Sequence, residues 1–327
     1  MPNISVKYEC RSPDGVAAMD FEELYATALE QIAWIDAQGF PVTINFCVHH
    51  GSDDGYLPGA ITFAAAAAMV TKQCRLQANV IVPFHDPLRV AEDVAVLDIL
   101  SHGRAELLLL GGYVQSEWEM FGVDPKQRAA LMEEGVAALK NAWSGEPFEY
   151  RGRHCQIRPR PLQQPHPPLW MGGTTPPAAR RAARLGDGFI PGLPELYEDY
   201  AKECERLGKT PRAASRKSSA YLYVTDDIEQ TWRQLAPYAL YETNVYARWQ
   251  SAAGQGGIFK PSNDVAAVRG TGVYQVKTAE QVFSEAPFDD DYTFMLHPLI
   301  SGCDKDFGWQ TVKNFFERVA PKLSVSY

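Results

Sequence analysis

Two histidines, His49 and His50, stand side by side in "FCVHHGSDDGYLPGAITFAAAAAMV" (Phe46 to Val70), where an apolar run of strand length gives way to a Gly/Asp-rich loop and an alanine-rich helix. Histidines at such a junction can bind metal, move a proton or simply close a strand. Neighbouring strand residues point to opposite faces, and no carboxylate–histidine spacing accompanies this pair, so a metal site is not indicated. Asp53 and Asp54 suit loop formation. What remains is proton transfer by one imidazole near its ordinary pKa of ~6.5, or simple filling of the strand's end, with one histidine turned inward and the other into the wall. A second constellation is "MGGTTPP", Met171 to Pro177. Gly172 and Gly173 would let backbone N–H groups approach an anion at a helix N-terminus, with the Thr174 and Thr175 hydroxyls as further donors. The same residues also suit an ordinary strand-to-helix turn with a threonine cap and prolines in the first helical turn.

These residues need a scaffold, and 327 residues can build one large α/β domain. A hydrophobic fraction of 46% permits a sizeable core, and a net charge of −9, spread along the chain, disfavours nucleic acid and anionic membranes as partners. The start, "MPNISVKYECRSPDG", lacks a basic segment followed by an apolar run, and nothing later approaches the ~18 continuous apolar residues of a membrane span. A soluble, cytoplasmic protein is expected. Its six cysteines are scattered without a C-x-x-C pair, which favours buried thiols over zinc or a disulfide framework.

Apolar runs of strand length alternate with longer segments of helical period, the pattern of parallel βαβ units. "ISVKY" precedes a helix that Asp20 can cap, with Leu24, Ala28, Ile32 and Ile35 at helical spacing and Gly39 as its stop. "VTINFCV", "LQANVIV", "AELLLL", "LWM", "GFI", "SSAYLYV" and "YTFMLHPL" supply further strands, with helical segments between most of them. About eight such units predict a (β/α)8 TIM barrel, a fold of roughly 250 residues plus insertions at the C-terminal face, in a single domain over 1–327. The insertions are Ser144 to Pro161, a short hairpin turning at Arg151 and Gly152, and the Gly/Ser-rich Tyr246 to Gly272, which reads as a lid. "SHGR" lies between a helix end and a strand start, the stability face of a barrel, so Arg104, Asp98 and Glu92 are assigned to tying helices and strands together.

The run "VPFHDPLRVAEDVAVLDILSHGRAELLLLGGYVQSEWEMFG", Val82 to Gly122, resembles the bacterial luciferase-like monooxygenase family, and "PHPPLWMGGTTPPAARRAARLGDGF" and the closing "HPLISG" match it in the same order. The resemblance implies a flavin-dependent barrel, an oxidoreductase that uses reduced FMN and oxygen on a small organic molecule, with the flavin phosphate at "GGTT". It implies that Ala78 and Asn79 lie beside the flavin ring, joined by a non-proline cis peptide. It places proton transfer on His49. Two family residues are replaced: Val48 stands where a glutamate is expected, and Gly111 where an arginine helps hold phosphate, so the anion leans on backbone donors and Tyr113. No G-x-G-x-x-G follows a strand, so reduced FMN would come from a separate flavin reductase. Deazaflavin-dependent hydride transfer, and flavin binding without turnover, are the alternatives. Tyr56, Phe84, Tyr113, Trp118, Tyr246 and Trp249 near the expected mouth suggest an apolar or aromatic small-molecule substrate. A homodimer or higher homo-oligomer is expected.

Overall fold

The computed structural model of the chain describes residues 2–215, 217–254, 259–286 and 289–323. Strand β1 (Asn3–Tyr8) leads to α1 (Phe21–Ala37), which Asp20 caps by accepting the Glu23 N–H. Leu24, Ala28, Ile32 and Ile35 form its buried stripe, and Gly39 ends it at φ 77°, a conformation cheap only for glycine. Then follow β2 (Val42–Phe46), α2 (Ala60–Val70), β3 (Arg75–Ile81), α3 (Pro87–Leu100), β4 (Ala105–Leu110), α4 (Gln115–Phe121) and α5 (Arg128–Ser144). The hairpin β5 (Phe148–Tyr150) and β6 (Arg153–Cys155) turns at Arg151 and Gly152, both at positive φ, as the sequence predicts. Next come β7 (Leu169–Gly173), α6 (Pro176–Leu185), β8 (Gly188–Pro191), α7 (Leu196–Arg206), β9 (Lys217–Val224) and α8 (Ile228–Ala252). The chain continues with α9 (Val265–Gly270), β10 (Tyr274–Lys277), α10 (Ala279–Glu285), β11 (Tyr292–Leu296), α11 (Lys305–Arg318) and α12 (Ala320–Leu323).

The chain divides into two compact units. The first comprises Met1–Pro58, Tyr113–Ser116 and Lys217–Tyr327, and its strands pair in parallel in the order β10–β9–β11–β1–β2. Its core joins Tyr223, Trp232, Leu235, Tyr238, Tyr274 and Phe307. The second comprises Gly59–Gly112 and Glu117–Arg216, with β3–β4–β7–β8 paired in parallel. Parallel strands with intervening helices make each unit α/β, and near-continuous apolar runs such as "AELLLL" reflect burial on both faces of such a sheet.

Three expectations are corrected. Tyr246 to Ala252 is the last part of α8, not loop; Pro237 inside the helix and the Gly/Ser-rich sequence beyond obscured a helix whose buried face carries Leu235, Tyr238, Ala239, Glu242 and Tyr246 at three- and four-residue spacing. Residues 255–258 of the expected lid lie outside the described residues, and Val265–Gly270 is helical. The Ala78–Asn79 peptide is trans, since cis bonds among the described residues precede only Pro159 and Pro165. Residue-by-residue pairing of Gln77, Ala78, Asn79 and Val80 with Glu106 to Leu109 requires regular extended backbone there. Glu92 pairs with Arg89 on the exposed face of its own helix and ties nothing across the fold.

Asp98 and Arg104 do tie elements. The Asp98 carboxylate accepts the backbone N–H and the side-chain amide of Gln163, anchoring the Pro-rich connector. Arg104, buried just before β4, donates to Ser101 O (2.7 Å), Thr71 Oγ1 (2.9 Å), Cys74 O (2.9 Å), Thr71 O (3.0 Å) and Ala68 O (3.4 Å). It thereby satisfies carbonyls that α2's C-terminal end leaves without helical partners. Arg104→Met should lower stability by at least ~1–3 kcal/mol, the cost of leaving a buried acceptor unsatisfied, since several carbonyls lose their donor together. A urea midpoint shifted downward with an unchanged slope checks this.

Candidate active site

Lys7 on β1 is the centre of the first unit's polar interior. Its ammonium lies 3.2 Å from Glu9 Oε2 and 3.2 Å from Glu242 Oε1, and donates to the hydroxyls of Tyr221 (3.1 Å) and Tyr246 (3.2 Å). Arg11 donates from Nε to Glu9 Oε1 at 2.9 Å, and its guanidinium packs over the rings of Tyr56, Tyr241 and Tyr246. Asp54 takes Nη1 of Arg11 and the hydroxyl of Tyr241; Tyr274 donates to Glu242 Oε2 at 2.7 Å. His297, just past β11, sits 3.4 Å from Glu9 and 3.6 Å from Glu242. Cys10 adopts φ 43° and Ser301 φ 47°, sparsely populated conformations that cost of order 1–3 kcal/mol each. They carry Glu9 and Arg11 into one network and aim the Ser301 N–H at Glu9 Oε1 (3.1 Å).

Burial drives every group in this cluster toward its neutral form, and the partners decide which stay charged. Burial opposes the charge on Lys7, but the Glu242 and Glu9 carboxylates overcome it and hold the ammonium well above the usual 10.5. Burial likewise opposes the charge on Glu9, yet Arg11, Lys7 and His297 keep its carboxyl well below 4.5. Burial raises the phenols of Tyr56 and Tyr246 well above 10.0, so both remain neutral hydroxyls, 3.0 Å apart. Oxygen and nitrogen atoms of Glu9, Glu242 and His297 lie within 4.8 Å of one another, a spacing compatible with metal ligation. Lys7 and Arg11 already occupy the carboxylates, and a metal ion would have to displace them.

His49 adjoins this network. Its ring lies 4.5 Å from Trp249, 4.8 Å from Tyr56, 5.7 Å from Tyr113 and 6.3 Å from Tyr246, centroid to centroid, mostly edge to face. Four of the six aromatics picked from sequence thus gather around His49, and Tyr113 stands against the imidazole. Strand β2 ends at Phe46, so His49 and His50 are loop residues, the strand alternation does not extend to them, and both are buried.

Within the second unit, Ala78 and Asn79 are buried and alternate across β3. Asn79 shares a face with Gln77, which donates to Glu106, as does Trp170 Nε1; Ala78 takes the other face. At "GGTT", Thr175 caps α6 by accepting the Ala178 N–H. A Cβ on Gly172 would meet Leu110 Cδ2 at 2.5 Å and one on Gly173 would meet Ala178 Cβ at 2.6 Å, so a side chain would have to push Leu110 aside at the first position and the start of α6 at the second. The cap-and-turn reading is therefore realised at Thr175 and Pro176. Phe84 and Trp118 pack together, 4.9 Å between centroids.

Sequence reasoning missed Lys7, Glu9, Arg11, Glu242 and His297. The available signal was "VKYECR", in which charged residues alternate through and past the end of a strand that should be buried.

A sequence profile of the luciferase-like monooxygenases matches residues 11–271, and the chain belongs to that family. It is 32% identical over 146 residues to the oxygenase component of a flavin-dependent trigonelline monooxygenase of Acinetobacter baylyi (42% of this chain, 40% of the relative). It is 27% identical over 177 residues to an FMNH2-dependent dimethylsulfone monooxygenase of Pseudomonas putida (51% and 48%). These matches span about half the length of the curated relatives. Among solved structures, monooxygenase RslO1 of Streptomyces bottropensis superposes with a TM-score of 0.78 at 22% identity, covering 98% of this chain and 99% of that one. The oxygenating constituent of 3,6-diketocamphane monooxygenase of Pseudomonas putida, in complex with FMN, gives 0.75 at 17% identity and 98% of each chain. An F420-dependent secondary alcohol dehydrogenase gives 0.68 at 17% identity and 98% of each chain. The fold is the luciferase-like α/β barrel.

The charged cluster predicts a pH window. Glu9, lowered in the fold, contributes stability fully above its unfolded value near 4.5 and loses it as pH falls; Lys7, raised, contributes fully below 10.5 and loses it as pH rises. Urea midpoints should therefore fall off outside this interval. Glu242→Gln should cost roughly 3–5 kcal/mol, as for other broken buried ion pairs, and move the alkaline decline to lower pH.

Proposed function

We propose that the chain is the oxygenase component of an FMN-dependent monooxygenase that takes reduced flavin from a separate reductase and oxygenates a small apolar or aromatic molecule, with residues 1–327 serving as one flavin-binding domain. The observation that carries the reading is the His49 imidazole held among Tyr56, Tyr113, Tyr246 and Trp249, a buried proton carrier in an aromatic setting suited to a planar ring. The names of the trigonelline and dimethylsulfone monooxygenases support the reaction class, and that of the former, an oxygenase component, supports a partner reductase.

The Gly172 and Gly173 backbone, with the Thr174 and Thr175 hydroxyls, would hold the cofactor phosphate at the N-terminal end of α6. Asn79 offers an amide on the polar face of β3. Tyr113, edge-on to His49, would offer an aromatic edge to the flavin. When bound, reduced FMN supplies the electrons that activate oxygen. His49 would hold or move a proton beside a bound flavin, and Lys7 keeps the Tyr246 hydroxyl oriented while burial keeps it protonated. The aromatic enclosure limits water near these groups. Exposed Met69, Val70, Val96 and Leu100 on α2 and α3 support a homo-oligomer.

A second reading, hydride transfer with a deazaflavin, is favoured by the likeness to the F420-dependent dehydrogenase. Anaerobic titration with reduced FMN and with reduced deazaflavin, followed by admission of air and assay of oxygen uptake with aldehydes, sulfonates and cyclic terpenoids, separates the two. Only the monooxygenase couples oxygen uptake to product. His49→Ala should slow that turnover by at least ~100-fold, the lower end for acid–base catalysis, with flavin affinity little changed. His50→Ala should chiefly lower stability. Equal, small losses of turnover in both folded, flavin-saturated variants would make His49 a spacer.

A further inference from the structure

Tyr221 on β9 stands opposite Met295 only because the strand is bulged. Thr293 pairs with Ser218 and Met295 with Tyr221, so β9 advances three residues while β11 advances two. Ala220 makes the bulge at φ 53°, a left-handed conformation that residues other than glycine rarely adopt. Ser219 Oγ accepts the Met295 N–H at 3.0 Å in place of a backbone carbonyl. A regular ladder would put Ala220 opposite Met295; the bulge puts a phenol there. We propose that Tyr221 is a substrate-binding donor of the site around His49, and that it takes the carbonyl oxygen of an uncharged substrate. The inference rests on the reading of His49 as the reacting site and adds to it the chemical class of what reacts.

Lys7 fixes the direction of the Tyr221 proton. An ammonium has donors and no acceptor, so at 3.1 Å the Tyr221 oxygen accepts from it and must send its own proton elsewhere. Tyr246 takes another Lys7 proton at 3.2 Å and has the Tyr56 hydroxyl 3.0 Å away as a further partner. Tyr221 has no second hydrogen-bond partner among the described residues. Burial raises its phenol, which therefore stays protonated at neutral pH, and a hydroxyl that accepts from a cation is a stronger donor onward. The sheet face around it is open. Ser5 pairs with Thr43 and with Met295, and Lys7 with Asn45, so these side chains share one face with Tyr221. Ser5, Thr43, Asn45, Tyr221 and Met295 are all half-buried, whereas Ile4, Val6, Val42, Ile44, Phe294 and Leu296 on the other face are buried. Tyr246, held by the same ammonium, lies 6.3 Å from His49 between ring centroids, so the open face and His49 belong to one site. A carbonyl, which only accepts, matches a corner where Lys7 and Tyr221 present only donors. An anion would meet Glu9 and Glu242, whose charges Lys7 already faces at 3.2 Å.

Equilibrium dialysis of the full chain, without added flavin, against acetophenone and ethylbenzene and against 2-decalone and decalin tests this, because the members of each pair differ at the carbonyl. Tyr221→Phe should weaken ketone binding about 3- to 10-fold, the range of a net neutral hydrogen bond, and leave hydrocarbon binding within about twofold. Tyr221→Gln, which keeps a donor, should weaken it less. The infrared C=O band of a bound, carbon-13-labelled ketone should lie below its position in hexane and move back up in Tyr221→Phe. Wild type that binds neither ketone, an unshifted carbonyl band, or ketone affinity unchanged in folded Tyr221→Phe overturns the proposal. Should Tyr221→Phe fail to fold, the wild-type band and its response to Tyr221→Gln decide. Weakened FMN binding in Tyr221→Phe with ketone binding intact would assign the hydroxyl to the cofactor and likewise overturns it. The ketone measurements use no flavin, so an absence of oxygen uptake bears on the monooxygenase reading alone.

Discussion

Two carboxylates, Glu9 and Glu242, have no solvent exposure at their side chains, and the interior of the first unit is organised around neutralising them. Moving an ion out of water costs several kcal/mol even after relaxation, so each carboxylate needs a cation and further hydrogen bonds at close range. Lys7 answers both at once. Because it reaches Glu9 from the same strand and Glu242 from α8, this one ammonium fixes how β1 and α8 meet. Its remaining donors fix the hydroxyls of Tyr221 and Tyr246, and Tyr246 in turn meets Tyr56. The aromatic surroundings of His49 are therefore positioned by electrostatics one layer away and not by packing alone. An apolar replacement of the cluster could be as stable, but it would leave the tyrosine hydroxyls without an oriented partner.

The two ends of the strands carry different burdens. At the C-terminal ends lie Lys7, the Glu9–Arg11 turn, His49 and His297, with left-handed backbone at Cys10 and Ser301. Strain there is held by a cluster that over-determines its geometry. Before β4, at an N-terminal end, Arg104 binds backbone carbonyls of α2 and the loop that follows, and Asp98 holds the connector to β7. Those contacts satisfy ordinary peptide groups and leave no reactive surface.

Much of the fold was legible because strand and helix periods differ and because start and stop signals were local. Asp20, Gly39, and the Arg151–Gly152 turn act through residues two to four positions away, and the structure has them in those roles. α8 was not legible: Pro237 breaks the apparent pattern, and its inward face mixes Glu242 and Thr243 with apolar residues. The site was legible in part. His49 and the aromatics around it follow from position and composition, but Lys7, Glu9 and Glu242 are joined across more than 230 residues, a pairing that no local pattern encodes. The cis peptide expected at Ala78–Asn79 came from family position, and the pairing of β3 with β4 overrides it.

The same physics explains why a bound redox partner suits this interior. Cys10 and Cys303 are buried thiols and Cys47 is half-buried; desolvation raises all three, Cys47 to about 11, so they stay protonated and weakly nucleophilic at neutral pH. The tyrosines are held as neutral hydroxyls and the carboxylates as charged, paired groups. Such groups orient, exclude water and move protons, but they do not donate or accept electron pairs in a redox step. A fold whose own side chains are confined to proton and electrostatic roles leaves the electron chemistry to a cofactor, and its specificity to whatever groups recognise that cofactor's charge and shape.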